Sequence, residues 1–259
     1  MTTFQIKLIA ITCMVIDHVG LLFFPQILLF RAVGRLAFPL FAWLIANGAY
    51  YSKNIKKYLT RLFLFALVAQ IPFILMNRQV DPSFWQLNVL FTLSLGLATI
   101  MLMKKSKNIL ISILIVVISA GLADVLNTDF WALGVLAVVA FYLSFKNIKK
   151  MVILQICVFS IFNIIPMSVI IASHGLANPA IPAASFMLCG IACLNFSLKL
   201  HFALPAVSIG LNFIESLGLF SLFIIALYNN QEGRKMKYFF YWFYPIHLAI
   251  LYFITLFVY

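Results

Sequence analysis

The chain has 259 residues, of which 65% are hydrophobic and only 9% charged, with a formal net charge of +12. A soluble domain carries about 25% charged residues, so the composition excludes an ordinary soluble globular protein and points to a bilayer. The basic residues fall in short clusters between apolar runs, as the positive-inside bias produces, which argues against a nucleic-acid partner.

No polar stretch is long enough for a separate soluble domain, so residues 1–259 read as one integral-membrane domain. The expected fold class is all-α, a polytopic transmembrane helix bundle of about ten membrane-spanning helices. The first apolar run, IKLIAITCMVIDHVGLLFF, covers residues 6–24. It is too long for a signal peptide and carries Asp17 and His18, so it reads as a retained span. Lys7 and His18 are eleven residues apart. At ~100° and ~1.5 Å per residue they share one face, roughly 16 Å apart along the axis, with Ile11 and Met14 between them. Ionisable groups in a membrane cost about 3 kcal/mol each on insertion scales and persist mainly where they are paired or used. This stripe is the candidate wall of an active site.

A second span follows the turn at Pro25-Gln26 and runs from about residue 30 to 51, FRAVGRLAFPLFAWLIANGAYY. Arg31 and Arg35 are four apart and share a face. A hairpin turning near residues 26 and 27 sets Arg35 level with Asp17 and His18, where an Arg35–Asp17 pair would orient the histidine. Arg31, nearer the turn, is expected to snorkel to the surface. Spans three to six are expected near 59–77, 86–103, up to 124, and ending at Lys146. The basic connections Lys53–Arg61, Lys104–Lys107 and Lys146–Lys150 alternate with less basic ones. That places them, and the N-terminus, in the cytoplasm. A seventh span is expected at 151–172 and an eighth up to about 198, joined by HGLANPAIP. Residues 203–228 carry Asn212 and Glu215 and read as one tilted helix or a broken pair. The last span, 238–258, begins YFFYWFYPIHLAILY; counting crossings sets its preceding basic loop, Arg234 to Lys237, on the outside, against the charge rule.

Tyr244 and His247 are three apart on one face of that last span. Asn163 and Asn212 read as interhelical hydrogen-bonding residues, and His174 and His201 as solvated residues at span ends. Cys13, Cys157, Cys189 and Cys193 lie within apolar runs and read as small hydrophobes. Cys189 and Cys193 are one turn apart, but no neighbouring histidine or carboxylate completes a metal set, so no metal is expected.

Four segments, KLIAITCMVIDHVG, GRLAFPLFAWLIANG, QLNVLFTLSLG and KYFFYWFYPIHLAILY, resemble the TraX family in their order and over nearly the whole chain. That resemblance implies a polytopic protein of the bacterial cytoplasmic (inner) membrane, named for acetylation of the pilin N-terminus and similar to the wider group of transmembrane acyltransferases. Many of those carry Arg, ten intervening residues and then His in the first span; Lys7 and His18 reproduce the spacing with Lys for Arg. The implied donor is cytosolic acetyl-CoA, and the implied acceptor is a peptide amine or a sugar hydroxyl of the envelope. His18 would be general base or acyl carrier, with Asp17 or Arg35 fixing its orientation and protonation; His247 is a further catalytic candidate on its own face. Lys7, Arg31, Asn88 and Tyr244 would hold the donor, Asn88 as an oxyanion donor.

Two other classes fit the same polar residues. Buried Asp, His, Arg and Glu also build proton-coupled transporters, although no internal repeat of the kind seen in many carriers is evident. A non-catalytic structural subunit would use them to tie helices together.

Overall fold

A computed structural model describes residues 1–175 and 216–258. The expectations placed on the eighth span, on Cys189, Cys193, His201, Asn212 and Glu215, and on the side chains of Asn163 and His174 lie outside the described residues.

The described chain is helical. In order the helices are α1 (Thr3–Phe23), α2 (Leu28–Gly34), α3 (Ala37–Tyr51), α4 (Ile55–Asn77), α5 (Val89–Lys105), α6 (Ile109–Val125), α7 (Trp131–Leu143) and α8 (Ile148–Gly175). After a 3₁₀ turn at Leu217–Phe220 come the short α9 (Ser221–Ala226) and the long α10 (Lys237–Val258). Caps explain several starts. Thr2 and Gln5 form a capping box on α1, while Asn54, Asn88 and Asn108 accept from first-turn N–H groups of α4, α5 and α6.

Four stretches are long and apolar enough to cross a membrane: Thr3–Phe23, Leu28–Tyr51, Ile55–Asn77 and Tyr238–Val258. This measure gives four spans among the described residues, where the sequence suggested about ten for the whole chain. The helices α5, α6 and α7 have only 17, 17 and 13 residues. The shortest, α7, is apolar on every side because it is packed round by α3, α5, α6 and α8. Trp43 and Leu40 of α3, Leu93 and Leu97 of α5 and Val135, Val138 and Phe141 of α7 make the fully buried centre.

The expected second span is not one helix. It breaks at Arg35 and Leu36. The cause is Pro39, which has no N–H to offer the carbonyl of Arg35 and whose ring would collide with it in a continuous helix. That carbonyl lies against Gly218 of the 3₁₀ turn, where an added Cβ would stand 3.0 Å from it. Close approach there requires glycine. The described part of 203–228 is likewise broken, into the 3₁₀ turn and α9.

The two ends of the bundle differ sharply in charge. At one end the N-terminal ammonium donates to the carbonyl of Leu227, and the N–H groups of Thr3 and Phe4 donate to Gln231 (2.9 Å) and Glu232 (3.1 Å). The loops after α3, α5 and α7 gather beside them: Lys104 donates to the carbonyl of Ala49 at 2.6 Å, Tyr50 stacks on Phe145, and Trp43 meets Tyr228 edge-on. This end carries Lys53, Lys56, Lys57, Lys104, Lys105, Lys107, Lys146, Lys149, Lys150, Arg234 and Lys235. At the other end the chain pairs Leu87 with Thr128, and Asn127 donates to the carbonyl of Trp85 at 2.6 Å. It carries Asp81, Asp124 and Asp129 with Arg78. The basic loop before α10 therefore sits beside the N-terminus, correcting the crossing count that had set it on the opposite side.

Candidate active site

Because α1 and α10 both leave the basic end, they run in the same direction and meet along one face. Near the basic end, Lys7 Nζ lies 5.2 Å from the centre of the Phe240 ring. Deeper in, His18 Nδ1 is 3.0 Å from His247 Nε2. The shared face expected of Lys7 and His18 thus exists, and Phe240 and His247, seven residues apart on α10, line it from the other side. His18 is half-buried, whereas His247 is only 7% exposed.

His247 is held on its far side as well. Its Nδ1 is 2.9 Å from the carbonyl oxygen of Phe243, one turn back on α10, and the Phe243 ring stacks on the imidazole with 5.3 Å between centres. Tyr244 packs against the same imidazole at 5.5 Å. Tyr244 is buried, and it lines a cavity together with Val89, at the start of α5.

A cavity of about 50 Å³ is bordered by Phe240, the ring that Lys7 meets, and by Phe243 and Tyr244, the rings that pack on His247; neither imidazole lines it. Ile11 and Met14 of α1, Leu90 and Leu93 of α5, and Phe243 and Tyr244 of α10 form most of its wall. Ile11 and Met14 are the two residues that helical spacing sets between Lys7 and His18. The lining from α3 and α5 carried no sequence signal, since an apolar residue facing a cavity looks the same as one facing lipid.

Asp17 is paired, but not with Arg35. Arg31 Nη1 donates to Asp17 Oδ2 at 2.8 Å, and the two side chains are only 24% and 19% exposed. This overturns both the Arg35–Asp17 pair and the expectation that Arg31 snorkels to the surface. The residue level with Asp17 is Gly34, where an added Cβ would collide with the Asp17 carboxylate. Arg35, one residue on, is turned ~100° away; Arg31, three back, returns to within ~60° of the Gly34 face and is long enough to reach. Arg35 caps α2 by its backbone, and the charges of Arg31 and Arg35 both act on His18.

Asn88 is a structural pin. Its side-chain oxygen accepts from the N–H of Leu90 at 3.0 Å, and its amide nitrogen donates to the carbonyl of Ala66 and to Gln70 Oε1, both at 2.8 Å. It is wholly buried, and with both amide protons engaged it has none left for an oxyanion. A cap residue directly ahead of the apolar run VLFTL was the available signal. No group of three or more His, Cys, Asp or Glu able to hold a metal ion occurs among the described residues.

The arrangement offers a hydrogen-bonded imidazole pair with the Asp17–Arg31 ion pair adjacent to it, a small apolar cavity behind Phe243 and Tyr244, and a cation toward the basic end. Comparison with known proteins agrees with the segments quoted above. A family model described as TraX protein matches residues 3–204 and 198–255. The chain is 27% identical to "Probable fimbrial assembly protein FimC, serogroup H1" of Dichelobacter nodosus, over 96% of this chain and 94% of the relative. It is 31% identical to an uncharacterized protein of Rickettsia prowazekii (strain Madrid E), over 35% of this chain and 33% of the relative. No solved structure matches. With a family model covering nearly its whole length and a full-length relative named for fimbrial assembly, the chain belongs to the TraX family.

Proposed function

We propose that this protein is a membrane-embedded acyltransferase that moves an acetyl group from cytosolic acetyl-CoA to an amine or hydroxyl of a pilin, glycan or other envelope acceptor. The observation that carries the reading is the His18–His247 pair, separated by Phe243 and Tyr244 from a small apolar cavity, with Lys7 toward the basic end. The cavity is apolar and small, which favours a short acyl group over a long one in this reading. The basic end faces the cytoplasm of a bacterial inner membrane in this reading, as the positive-inside bias favours. Donor then approaches from the Lys7 side, where a cation favours its phosphates, and residues 1–259 act as one membrane domain.

In the transfer itself, His18 takes the proton of the acceptor N–H or O–H as that atom bonds to the thioester carbonyl carbon. The carbon–sulfur bond breaks, and the departing CoA thiolate receives the proton back. The Asp17–Arg31 pair holds α1 against α2 and acts on His18 through the position of the helix.

Purified protein supplied with radiolabelled acetyl-CoA and envelope membranes from a strain lacking the gene tests the reading. Label is expected to pass to envelope material. His18→Ala is expected to lower the rate ~10²–10⁴-fold with no rescue by excess donor, and Lys7→Ala to raise the KM for acetyl-CoA. Near-normal turnover by His18→Ala would overturn the reading, as would acetyl-CoA-independent ion flux in proteoliposomes without any label transfer.

A further inference from the structure

We propose that His247 is a positioning residue that fixes the tautomer of His18 and shares the charge His18 acquires, so that the two imidazoles act as one base. The inference rests on the acyltransferase reading for its catalytic consequence, but its geometric content stands separately.

The deduction follows from which atoms can donate. The carbonyl oxygen of Phe243 only accepts, so the 2.9 Å contact places a proton on His247 Nδ1. A neutral His247 then presents a lone pair at Nε2. The 3.0 Å contact with His18 Nδ1 requires His18 to be the donor. His18 therefore carries its proton on Nδ1, and its Nε2 is the unprotonated, basic nitrogen. That nitrogen makes no hydrogen bond among the described residues.

The rings are nearly parallel, 16° apart, and Phe243 stacks on His247 at the same angle, so rotation of His247 out of line is opposed by packing. When His18 Nε2 takes a proton from the acceptor, the Nδ1–H already points at His247 Nε2. The positive charge is then spread over two rings, ending on the Phe243 carbonyl, a chain of three hydrogen-bonded groups that reinforce one another. A lone imidazole here would divide between two tautomers, only one of which leaves Nε2 free. No further acid or base is needed for balance: the proton returns to the CoA sulfur as the acyl group departs.

The test combines a spectrum with kinetics. In protein labelled with ¹⁵N-histidine and assigned by loss of signal in His18→Gln, both His18 and His247 are expected to show a protonated Nδ1 and an unprotonated Nε2. This needs no substrate. His18 found with its proton on Nε2 overturns the proposal. In the label-transfer assay with acetyl-CoA and envelope membranes, His247→Phe is expected to lower kcat ~10²-fold or more with the KM for acetyl-CoA unchanged. His247→Gln, which can return an acceptor oxygen to the Nε2 position, is expected to recover at least tenfold of that loss. Equal kcat values in His247→Phe and wild type, or no difference between the Phe and Gln variants, overturn the proposal. If the wild-type spectrum is as expected and no label transfers, the acyltransferase reading fails while the coupled pair stands.

Discussion

Neutralising Asp17 and Arg31 singly and together measures the contact that sets the rotation of α1. The perturbation is Asp17→Asn, Arg31→Gln and the double variant, with Arg35→Gln as a parallel arm. A single N–H···O bond at 2.8 Å joins the pair, with side chains 24% and 19% exposed. Exposed ion pairs couple by roughly 0.2–1 kcal/mol, whereas losing one partner of a fully buried pair costs about 3–5 kcal/mol. About one fifth exposure in apolar surroundings lies nearer the buried limit. Asp17 Oδ1 lacks a hydrogen-bond partner, so only one carboxylate oxygen is satisfied and the attraction is not doubled by a bidentate grip. Each single change is expected to cost ~2–3 kcal/mol, and the double less than the sum, with a coupling energy of ~2 kcal/mol. Reversible unfolding of purified variants in mixed micelles supplies the free energies. The Asp17/Arg35 cycle is expected to couple by less than ~0.5 kcal/mol. An Asp17/Arg35 coupling as large as that of Asp17/Arg31, or additive losses for Asp17 and Arg31, would refute the register of α1 on α2.

Single cysteines introduced at Asn54, Lys107, Lys149 and Arg234 in a cysteine-free background are expected to label only after the membrane is opened, all four alike. Labelling of any one from outside intact cells would break the single basic end. Leu93→Ala widens the cavity and is expected to cost ~2–5 kcal/mol in stability; in the label-transfer assay it should shift donor preference toward propionyl- or butyryl-CoA. An unchanged donor profile would mean that the acyl group does not enter this cavity. Asn88→Ala strands the N–H of Leu90, the carbonyl of Ala66 and Gln70, and is expected to cost ~2–3 kcal/mol with kcat per folded molecule kept. A drop of ~10²-fold or more in kcat would restore Asn88 as an oxyanion donor.

Helical periodicity carried most of what the sequence revealed. Lys7, Ile11, Met14 and His18 line one face because spacing on a single helix needs no knowledge of neighbours. The same holds for Tyr244 and His247; Phe240 and Phe243, on the same helix, were not singled out. Partners across helices were harder. Residue counting from the turn at Pro25 put Asp17 within one residue of its true level, but one residue is ~100° of rotation, and that error exchanged Arg31 for Arg35. Pro39 was the unread signal that α3 restarts after Arg35. The side of the Arg234 loop could not be counted, because parity depends on every crossing before it; the charge cluster itself was the better guide. That His18 and His247 touch is a tertiary fact, and two histidines 229 residues apart announce nothing in sequence.

The adjacency of Asp17 and His18 now has a physical sense. Neighbouring residues on a helix point ~100° apart, so one can face α2 while the other faces α10. Asp17 meets Arg31 and Gly34 on the first side; His18 meets His247 on the second. The ion pair therefore acts on the imidazole through the helix, by fixing the rotation of α1 about its own axis. A slip of one residue along α2 would turn His18 away from His247 and leave Arg31 and Asp17 unpaired together. Gly34 keeps the slip from being silent: any residue with a Cβ at the level of Asp17 would push α2 outward, and every other residue of α2, Ala32 included, carries one. In the acyltransferase reading, these two charges take no direct part in proton transfer and act by aiming the imidazole beside them.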